Sequence, residues 1–530
     1  MKTKAIFKYT LITIVGLILL MIVGSILLIT LVNPNHYKPL IIQAVDDSTG
    51  RKLSLDGDIS WKIFPNIGLH IGTASLSNPD GFDKPDLVKI DSMDILVQLL
   101  PLLHSSIVVD SINIDGLNLG LIKKGSSNNW TFKSSSKTAA TESSQNKIKF
   151  ELNSLTLKNT TISYADMQTK KQQSLNNFDF GVKTGWNGRM NVDTDKQTFN
   201  LDKVNFNLDD ILNGQLNLDG ANFDNPHYTG DLNLNEFSMN KLLDKLNITK
   251  PDLPNKSLLD KVALQTNLVG GANNLELQPI NLKFADSTLK GKINISSITP
   301  LKLNEDLVLD KADISDFVKT KGYKIPLKQA TLSGLLTIPG GFPNTLNANQ
   351  NIHIQNLTLQ GLNLDTLIHQ IDLSLENLTN LPNSINHIQS IINKTQLSSA
   401  KDLAQTSNLG SLDANLIVHN GVANPAVFRL SGGPSIKSSG GGTINLNQKA
   451  LNYTVNTQFI NSRNSSFIQS LIFPYHLQGK LSNPEGSLDW LSIQRQLAEH
   501  FTQEGFGTVN KTVTPLTQKS KKFITNLFGH

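Results

Sequence analysis

The sequence predicts a mainly β protein, in which an N-terminal transmembrane helix is followed by an elongated, curled antiparallel β-sheet that forms a groove, with a few short helices. Three observations lead to this prediction. A charge-free apolar segment lies near the N-terminus, a two-residue hydrophobic period runs through most of the chain, and helical periods are few. The 530 residues are enough for several domain equivalents or for one long repetitive body.

The candidate anchor is residues 11–32, which contain no charged side chain. As a helix this segment crosses the hydrocarbon layer of roughly 30 Å. Lys2, Lys4 and Lys8 precede it, so the positive-inside rule keeps residues 1–10 in the cytoplasm. A cleaved signal peptide is the alternative, but it has a shorter apolar region and a small-residue cleavage site. We therefore expect a single-pass membrane protein whose chain is exported from about residue 33 onward, which in a Gram-negative cell means into the periplasm. The anchor residues are Leu11, Ile14, Leu17, Leu20, Ile22, Ile26, Leu28 and Val32.

Behind the anchor, Tyr37, Leu40, Ile41 and Ala44 follow a helical spacing and predict a short juxtamembrane helix. From Leu53 onward the period changes to two, with apolar residues alternating with Asn, Asp, Lys or Thr. Such strands are apolar on one face only, which is typical of an antiparallel sheet with one face in water. The sequence therefore predicts an antiparallel sheet for most of the chain.

Helical spacing interrupts this pattern in five short segments, about 239–246, 314–320, 365–370, 384–392 and 490–501. Residues 126–147 lack apolar periodicity and are interpreted as a loop or linker. The predicted organisation is a cytoplasmic N-terminus 1–10, a transmembrane helix 11–32, an N-terminal region 33–125, the linker 126–147, a middle β region 148–340, a C-terminal β region 341–488 and a C-terminal helix with a basic tail 489–530.

The composition narrows the function classes. Lysine and arginine exceed aspartate and glutamate by only 48 to 43, which disfavours nucleic-acid binding through a broad basic face. The chain has no cysteine, so it has no thiolate nucleophile and no cysteine-ligated metal. The common nucleophile, phosphate-loop, zinc and dinucleotide motifs are absent. We expect no enzyme activity, no catalytic or metal site and no cofactor.

Two further features have a functional and a structural interpretation. The glycines at 432–433 and 440–442 lack the lysine and serine of a phosphate loop, and sharp bending of a sheet explains them better. The C-terminal tail suits a basic amphipathic helix on an anionic membrane, although a tail docked on the body is equally compatible. Its candidate membrane-surface residues are Lys519, Lys522, Phe523, Ile524, Leu527 and Phe528.

Several ordered segments resemble the N-terminal signature of the AsmA family. They include residues 49–61, 64–69, 77–82 and 100–103, and the pair Asn129-Trp130. Segments 357–365, 441–446 and 479–484 are similar to its C-terminal part. The resemblance implies an inner-membrane-anchored periplasmic protein of outer-membrane assembly, related to proteins that carry phospholipid along an open β groove, and it implies no catalytic residues.

One-faced strands must hide their apolar side, either in a sandwich of two sheets or in a trough covered by lipid. The candidate lipid-groove lining is Ile112, Ile114, Val204, Phe206, Leu282, Phe284, Ile293, Ile295, Ile444 and Leu446. The favoured hypothesis is a phospholipid conduit between membranes. A scaffold that acts on outer-membrane or periplasmic assembly proteins through a dry core, and an exported hydrolase that uses paired acids such as Asp56 and Asp58, are the alternatives.

Overall fold

The protein is described from a computed structural model, which covers residues 33–62, 67–82, 85–98, 108–125, 127–131, 150–168, 170–193, 196–222, 225–320, 322–340, 342–376, 386–391, 394, 403–460, 469–481 and 483–503. Within these ranges, no helix combines the length and apolar character that a bilayer crossing requires. The predicted anchor 11–32, the tail residues from Lys519 to Phe528 and most of the predicted linker 126–147 lie outside the described residues.

The chain divides into two compact units. Unit 1 contains residues 1–250 and 260–272, and unit 2 contains residues 251–259 and 273–530. The helices are α1 (Lys38–Thr49), α2 (Met239–Lys245), α3 (Leu364–Glu376) and α4 (Trp490–Gln503), with 3-10 turns at Pro34–Tyr37 and Ile314–Asp316. A further helical segment spans residues 386–391.

The strands of unit 1 are β1 (Leu53–Leu55), β2 (Ile59–Lys62), β3 (Ile67–Ile71), β4 (Ala74–Ser77), β5 (Asp86–Ile90), β6 (Ser92–Val97), β7 (Val108–Asp115), β8 (Asn118–Lys124), β9 (Ser127–Asn128), β10 (Phe150–Asp166), β11 (Lys171–Asp193), β12 (Thr198–Leu208), β13 (Leu212–Ala221), β14 (His227–Phe237) and β15 (Val262–Gly271). Those of unit 2 are β16 (Leu275–Phe284), β17 (Ser287–Ile298), β18 (Leu301–Asp313), β19 (Pro326–Ile338), β20 (Asn347–Gln360), β21 (Thr406–His419), β22 (Val422–Gly432), β23 (Ile436–Asn445), β24 (Ala450–Phe459), β25 (Phe473–Lys480) and β26 (Asn483–Leu488).

The prediction of a mainly β fold with few helices is confirmed. α2 and α4 begin at the predicted residues, whereas α3 is longer than the predicted 365–370 and only a 3-10 turn forms within 314–320. The helix predicted behind residues 11–32 forms as α1, which ends at Gly50 in the left-handed conformation with φ 66°. Asn35 fixes its start, since its side chain accepts a hydrogen bond from Ile59 N and donates one to Ile59 O, both at 2.9 Å.

Unit 1 departs from the predicted all-antiparallel pairing at β10. This strand lies parallel to β7 through Glu151–Lys158 and parallel to β8 through Thr161–Asp166. A parallel pair needs a long connection so that the chain can return in the same direction. The segment between β9 and β10 supplies that length, and its lack of apolar period gave no sign of the direction in which β10 would run. From β10 to β15 each strand pairs antiparallel with the next.

The N-terminal strands of unit 1 enclose a small core. One set pairs as β2–β3–β6–β7 and the other as β1–β4–β5–β8, and both meet β10. Ile59 and Ile71 from the first set pack in one cluster with Ala74 and Ile90 from the second. The apolar sides of these strands therefore cover each other.

Unit 2 is an open antiparallel sheet in which β16 to β26 pair in chain order. No pairing joins β16 to β26 in the part of the chain that the structure describes. Residues that pair directly share a face, so the pairing defines rows of side chains that cross the sheet. One face is apolar, and the other carries amides, hydroxyls and charges.

Candidate functional site

The apolar face of unit 2 is the candidate functional surface, and one end of it is covered by helices. Ile368 and Ile371 of α3 are 1% and 0% exposed, and Ile493 of α4 is 2% exposed. These side chains join one cluster with sheet residues from β18 to β25, among them Leu327 and Phe473. This end of the strands forms a closed hydrophobic core.

The strands β16 to β18 carry the same alternation but a different degree of burial. Leu282, Ile293 and Ile295 are half-buried, and Ile298 is 50% exposed. Only a few positions of these strands, such as Ile280 at 5% exposure, are fully buried. In the part of the chain that the structure describes, some of this apolar face thus stays accessible.

A third part of the face lies at the other end of the strands of β19 to β24. Val418, Ala423 and Ala426 are buried there with Leu346. Half-buried neighbours pack against them, and these include Leu336, Leu416, Ile444, Leu446 and Tyr453.

A polar pair interrupts the apolar face between the helix-covered core and this cluster. Glu305 of β18 pairs in register with Gly334 of β19, which pairs with Gln350 of β20. Glu305 is 6% exposed, and the Gln350 side chain lies close enough to its carboxyl group to affect its pKa. Burial raises the pKa of Glu305, and Gln350 partly offsets that rise.

Gly334 makes this meeting sterically feasible. A Cβ at that position would come within 2.9 Å of Gln350 Nε2 and 2.1 Å of the Asn349 carbonyl oxygen. Because glycine has no side chain, Gln350 can lie across β19 toward Glu305. Sequence reasoning missed the pair, although a signal was present. Glu305 occupies the place of a leucine in the alternation Leu301, Leu303, Glu305, Leu307, Leu309.

Unit 1 also has a one-faced sheet, in β12 to β15. Val204 is 2% exposed, whereas Phe206, Leu216 and Leu232 are half-buried on the same face. On the opposite face Asn217 Nδ2 donates to both carboxylate oxygens of Asp231, at 3.0 and 2.9 Å. The two faces of these strands therefore differ in chemistry as the alternation predicts.

The candidate lining residues lie in different surroundings. Ile114 of β7 packs against the N-terminal cluster of unit 1, and Ile112 lies half-buried on the same strand. In unit 2, Phe284 is 9% exposed. Ile444 and Leu446 pack against the cluster around Val418. Val204 and Phe206 lie on the one-faced sheet of unit 1, and Leu282, Ile293 and Ile295 lie on the accessible part of unit 2.

The glycines at 440–442 are strand residues of β23 and do not form a phosphate loop. A Cβ at Gly440 would come within 2.3 Å of the ring of Phe428 and 2.7 Å of the ring of Tyr453. These two rings stack with centroids 6.0 Å apart. The glycine leaves room for aromatic side chains on the apolar face, which is a more specific reason than sheet bending.

On the polar faces, acidic and histidine side chains form hydrogen bonds with neighbouring side chains. His353 Nδ1 lies 2.6 Å from Asp413 Oδ1 on neighbouring strands of unit 2. Hydrogen bonds from Gln329 and Lys290 lower the pKa of Asp310. In the ranges that the structure describes, no three histidine or acidic side chains are grouped as metal ligands would be.

A buried polar network occupies the segments that carry the N-terminal family resemblance. Arg51 is 5% exposed, and its guanidinium group donates to the carbonyl oxygens of Asn129 and Thr131 at 3.1 and 3.0 Å. Asn129 is 0% exposed. Its side chain donates to Asn78 Oδ1 at 2.7 Å and to Gly120 O at 2.6 Å, and it accepts from Ile122 N at 2.7 Å. These motif residues hold the fold of unit 1 together.

The model of the AsmA family matches residues 3–192, all within unit 1. This part of the chain is therefore similar to the AsmA family. Protein AsmA of Escherichia coli (strain K12) is 33% identical over 104 residues, which are 20% of this chain and 16% of that protein. No solved structure matches the chain. The AsmA match includes Arg51, Asn78 and Asn129, so it covers the region whose buried network has just been described.

Proposed function

We propose that the chain is a non-enzymatic, inner-membrane-anchored periplasmic protein of outer-membrane biogenesis. In this proposal it holds lipid acyl chains on its apolar β faces and carries phospholipid between membranes without chemical change. The observation that carries the proposal is the accessible apolar face of β16 to β18, where Leu282, Ile293 and Ile295 stay half-buried. The similarity of residues 3–192 to the AsmA family supports an envelope location.

The energetics of an apolar face in water favour an acyl chain as its ligand. Each methylene removed from water contributes about 0.8 kcal/mol, so a dozen methylenes contribute on the order of 10 kcal/mol. Rows of leucine and isoleucine offer contact along a whole chain, and they have no directional groups that would stop it from sliding. A surface of this kind suits transport better than tight, fixed binding.

Site-specific cross-linking in the full chain tests the proposal. A photoreactive amino acid is placed at Leu282 of β16 or Ile444 of β23, and its matched control is placed at Lys283 or Thr443. Each control is the next residue and lies on the opposite face of the same strand. We expect labelled phospholipid to cross-link several-fold more at Leu282 and Ile444 than at the controls. Equal labelling at both faces would count against the proposal.

A scaffold for outer-membrane protein assembly is the second candidate. The closed core around Ile368 and Ile371 favours it, because such a core leaves no room for lipid at that end of unit 2. The same experiment separates the two candidates. Protein adducts without lipid adducts at Leu282 support the scaffold, and lipid adducts there support transport.

A further inference from the structure

The pair formed by Glu305 and Gln350 stands out because its surroundings are apolar. Four rows of side chains cross β18 to β23 on the apolar face, through Leu303, Glu305, Leu307 and Leu309, and a shorter row joins Leu301 to Ile338 of β19. In these rows Glu305 is the one acidic or basic side chain. Its register neighbours are Ile293 of β17 and Gly334 of β19. No lysine or arginine of these rows can neutralise it.

The pair also has unused hydrogen-bonding capacity. Glu305 Oε2 and Gln350 Oε1 are both buried, and neither has a hydrogen-bond partner among the residues that the structure describes. Gln350 Nε2 donates a hydrogen bond to the carbonyl oxygen of Leu335 at 3.4 Å, so the amide nitrogen is occupied by a backbone group. A buried acceptor without a hydrogen bond destabilises the fold, and one donor placed between two neighbouring acceptors can satisfy both.

The position of the pair connects it with the proposed lipid path. Gln350 pairs in register with Leu416, which packs against the cluster around Val418. One row away on the other side, Ile352 packs against the helix-covered core. A ligand that lies along the apolar face, outside the helix-covered core, therefore comes next to Glu305 and Gln350.

We propose that Glu305 and Gln350 form a station that accepts a hydrogen bond from a donor group, a hydroxyl or an ammonium, of a lipid bound on the apolar face of unit 2. This inference rests on the proposed function. A phosphate group fits the station poorly, because it brings acceptors and negative charge to a carboxyl group. The station selects lipids by a donor, whereas the leucine and isoleucine rows hold any acyl chain.

Two lipid pairs test the station and separate its two sources of donor. Dioleoylphosphatidylethanolamine and dioleoylphosphatidylcholine differ in the ammonium N–H groups, and dioleoylglycerol differs from its methyl ether in one hydroxyl. The full chain in detergent is equilibrated with equal amounts of each pair, and native mass spectrometry measures the ratio of the two lipids retained. We expect the donor member of at least one pair to be retained about tenfold more, the effect of one hydrogen bond in a buried site.

The variants are Glu305→Leu, Gln350→Leu and the control Asp306→Asn, which removes a carboxylate from the opposite face of the same strand. The two leucine variants remove buried unsatisfied oxygens, so the fold is retained, and a thermal melt verifies this. We expect both leucine variants to retain the two lipids of a pair equally and Asp306→Asn to keep the preference.

Two outcomes overturn the station alone. One is that the unmodified chain retains lipid without preference, and the other is that Glu305→Leu keeps the preference. If the unmodified chain retains no lipid, the proposed function fails, and the station fails with it.

Discussion

Two parts of the apolar face in unit 2, the helix-covered core and the strands β16 to β18, show how one sequence pattern leads to two kinds of surface. Around Ile368 and Ile371 the helices cover the sheet and the side chains are fully buried. Along β16 to β18 the alternation is equally regular, but Leu282 and Ile295 stay half-buried. The comparison teaches that an alternating strand has an apolar side to be buried, but that its sequence does not say what buries it. Among the described residues, helices bury this side in the core around Ile371 and leave it partly accessible along β16 to β18.

The largest expected effect comes from the covered end. Ile371→Ala should lower the free energy of unfolding by about 3–4 kcal/mol, because it leaves a cavity in a closed core. Ile295→Ala, its matched control on the accessible face, should cost about 1 kcal/mol, because its side chain is only half-buried. Thermal melting of the full chain with hydrogen exchange measures both changes. Similar losses of unfolding free energy at the two positions would contradict the contrast between the covered core and the accessible strands.

The buried network of unit 1 should be nearly as sensitive as the covered core. Asn129→Ala removes the partners of Ile122 N, Gly120 O and Asn78, and we expect a loss of about 3 kcal/mol. Asn118→Ala, on an exposed position of β8, should change stability by less than about 0.5 kcal/mol. Hydrogen exchange of the β8 amides reports both. Unchanged protection in Asn129→Ala would show that the network is dispensable.

On the accessible face a polar substitution should affect lipid binding more than stability. Ile293→Asn should cost about 1 kcal/mol or less in unfolding free energy, but it should reduce lipid cross-linking at Leu282 several-fold. Lys292→Asn, on the opposite face of β17, is the control and should leave the cross-linking unchanged. A large loss of stability with unchanged cross-linking would assign Ile293 to a closed core instead.

The smallest effect concerns the pH dependence introduced by Glu305. Burial raises its pKa in the folded state, so between the unfolded and folded pKa values the folded state binds more protons. Stability then falls as pH rises through that window. Glu305→Gln removes this term, so its melting midpoint should exceed that of the unmodified chain at pH 7 and match it near pH 4. An equal difference at both pH values would mean that titration of Glu305 is not the cause.

Parts of the candidate site could be predicted from the sequence and parts could not. The alternation of Leu282, Ile293 and Ile444 placed them on one face of strands, because side-chain direction in a strand depends only on neighbouring residues. The cover that α3 provides through Ile371, and the contact of Ile114 with the N-terminal core, required knowledge of which elements pack together. Periodicity within one segment carries no information about that.

The sequence by itself determined which residues form strands, which side of each strand is apolar and which family the first unit resembles. The tertiary structure decided the rest. It turned β10 parallel to β7, joined Arg51 to Asn129 across 78 positions, and brought Gln350 over Gly334 to Glu305. The physical reason is range, because a two-residue period is a local property, whereas register, coverage and buried polar pairing arise between segments that only folding brings into contact.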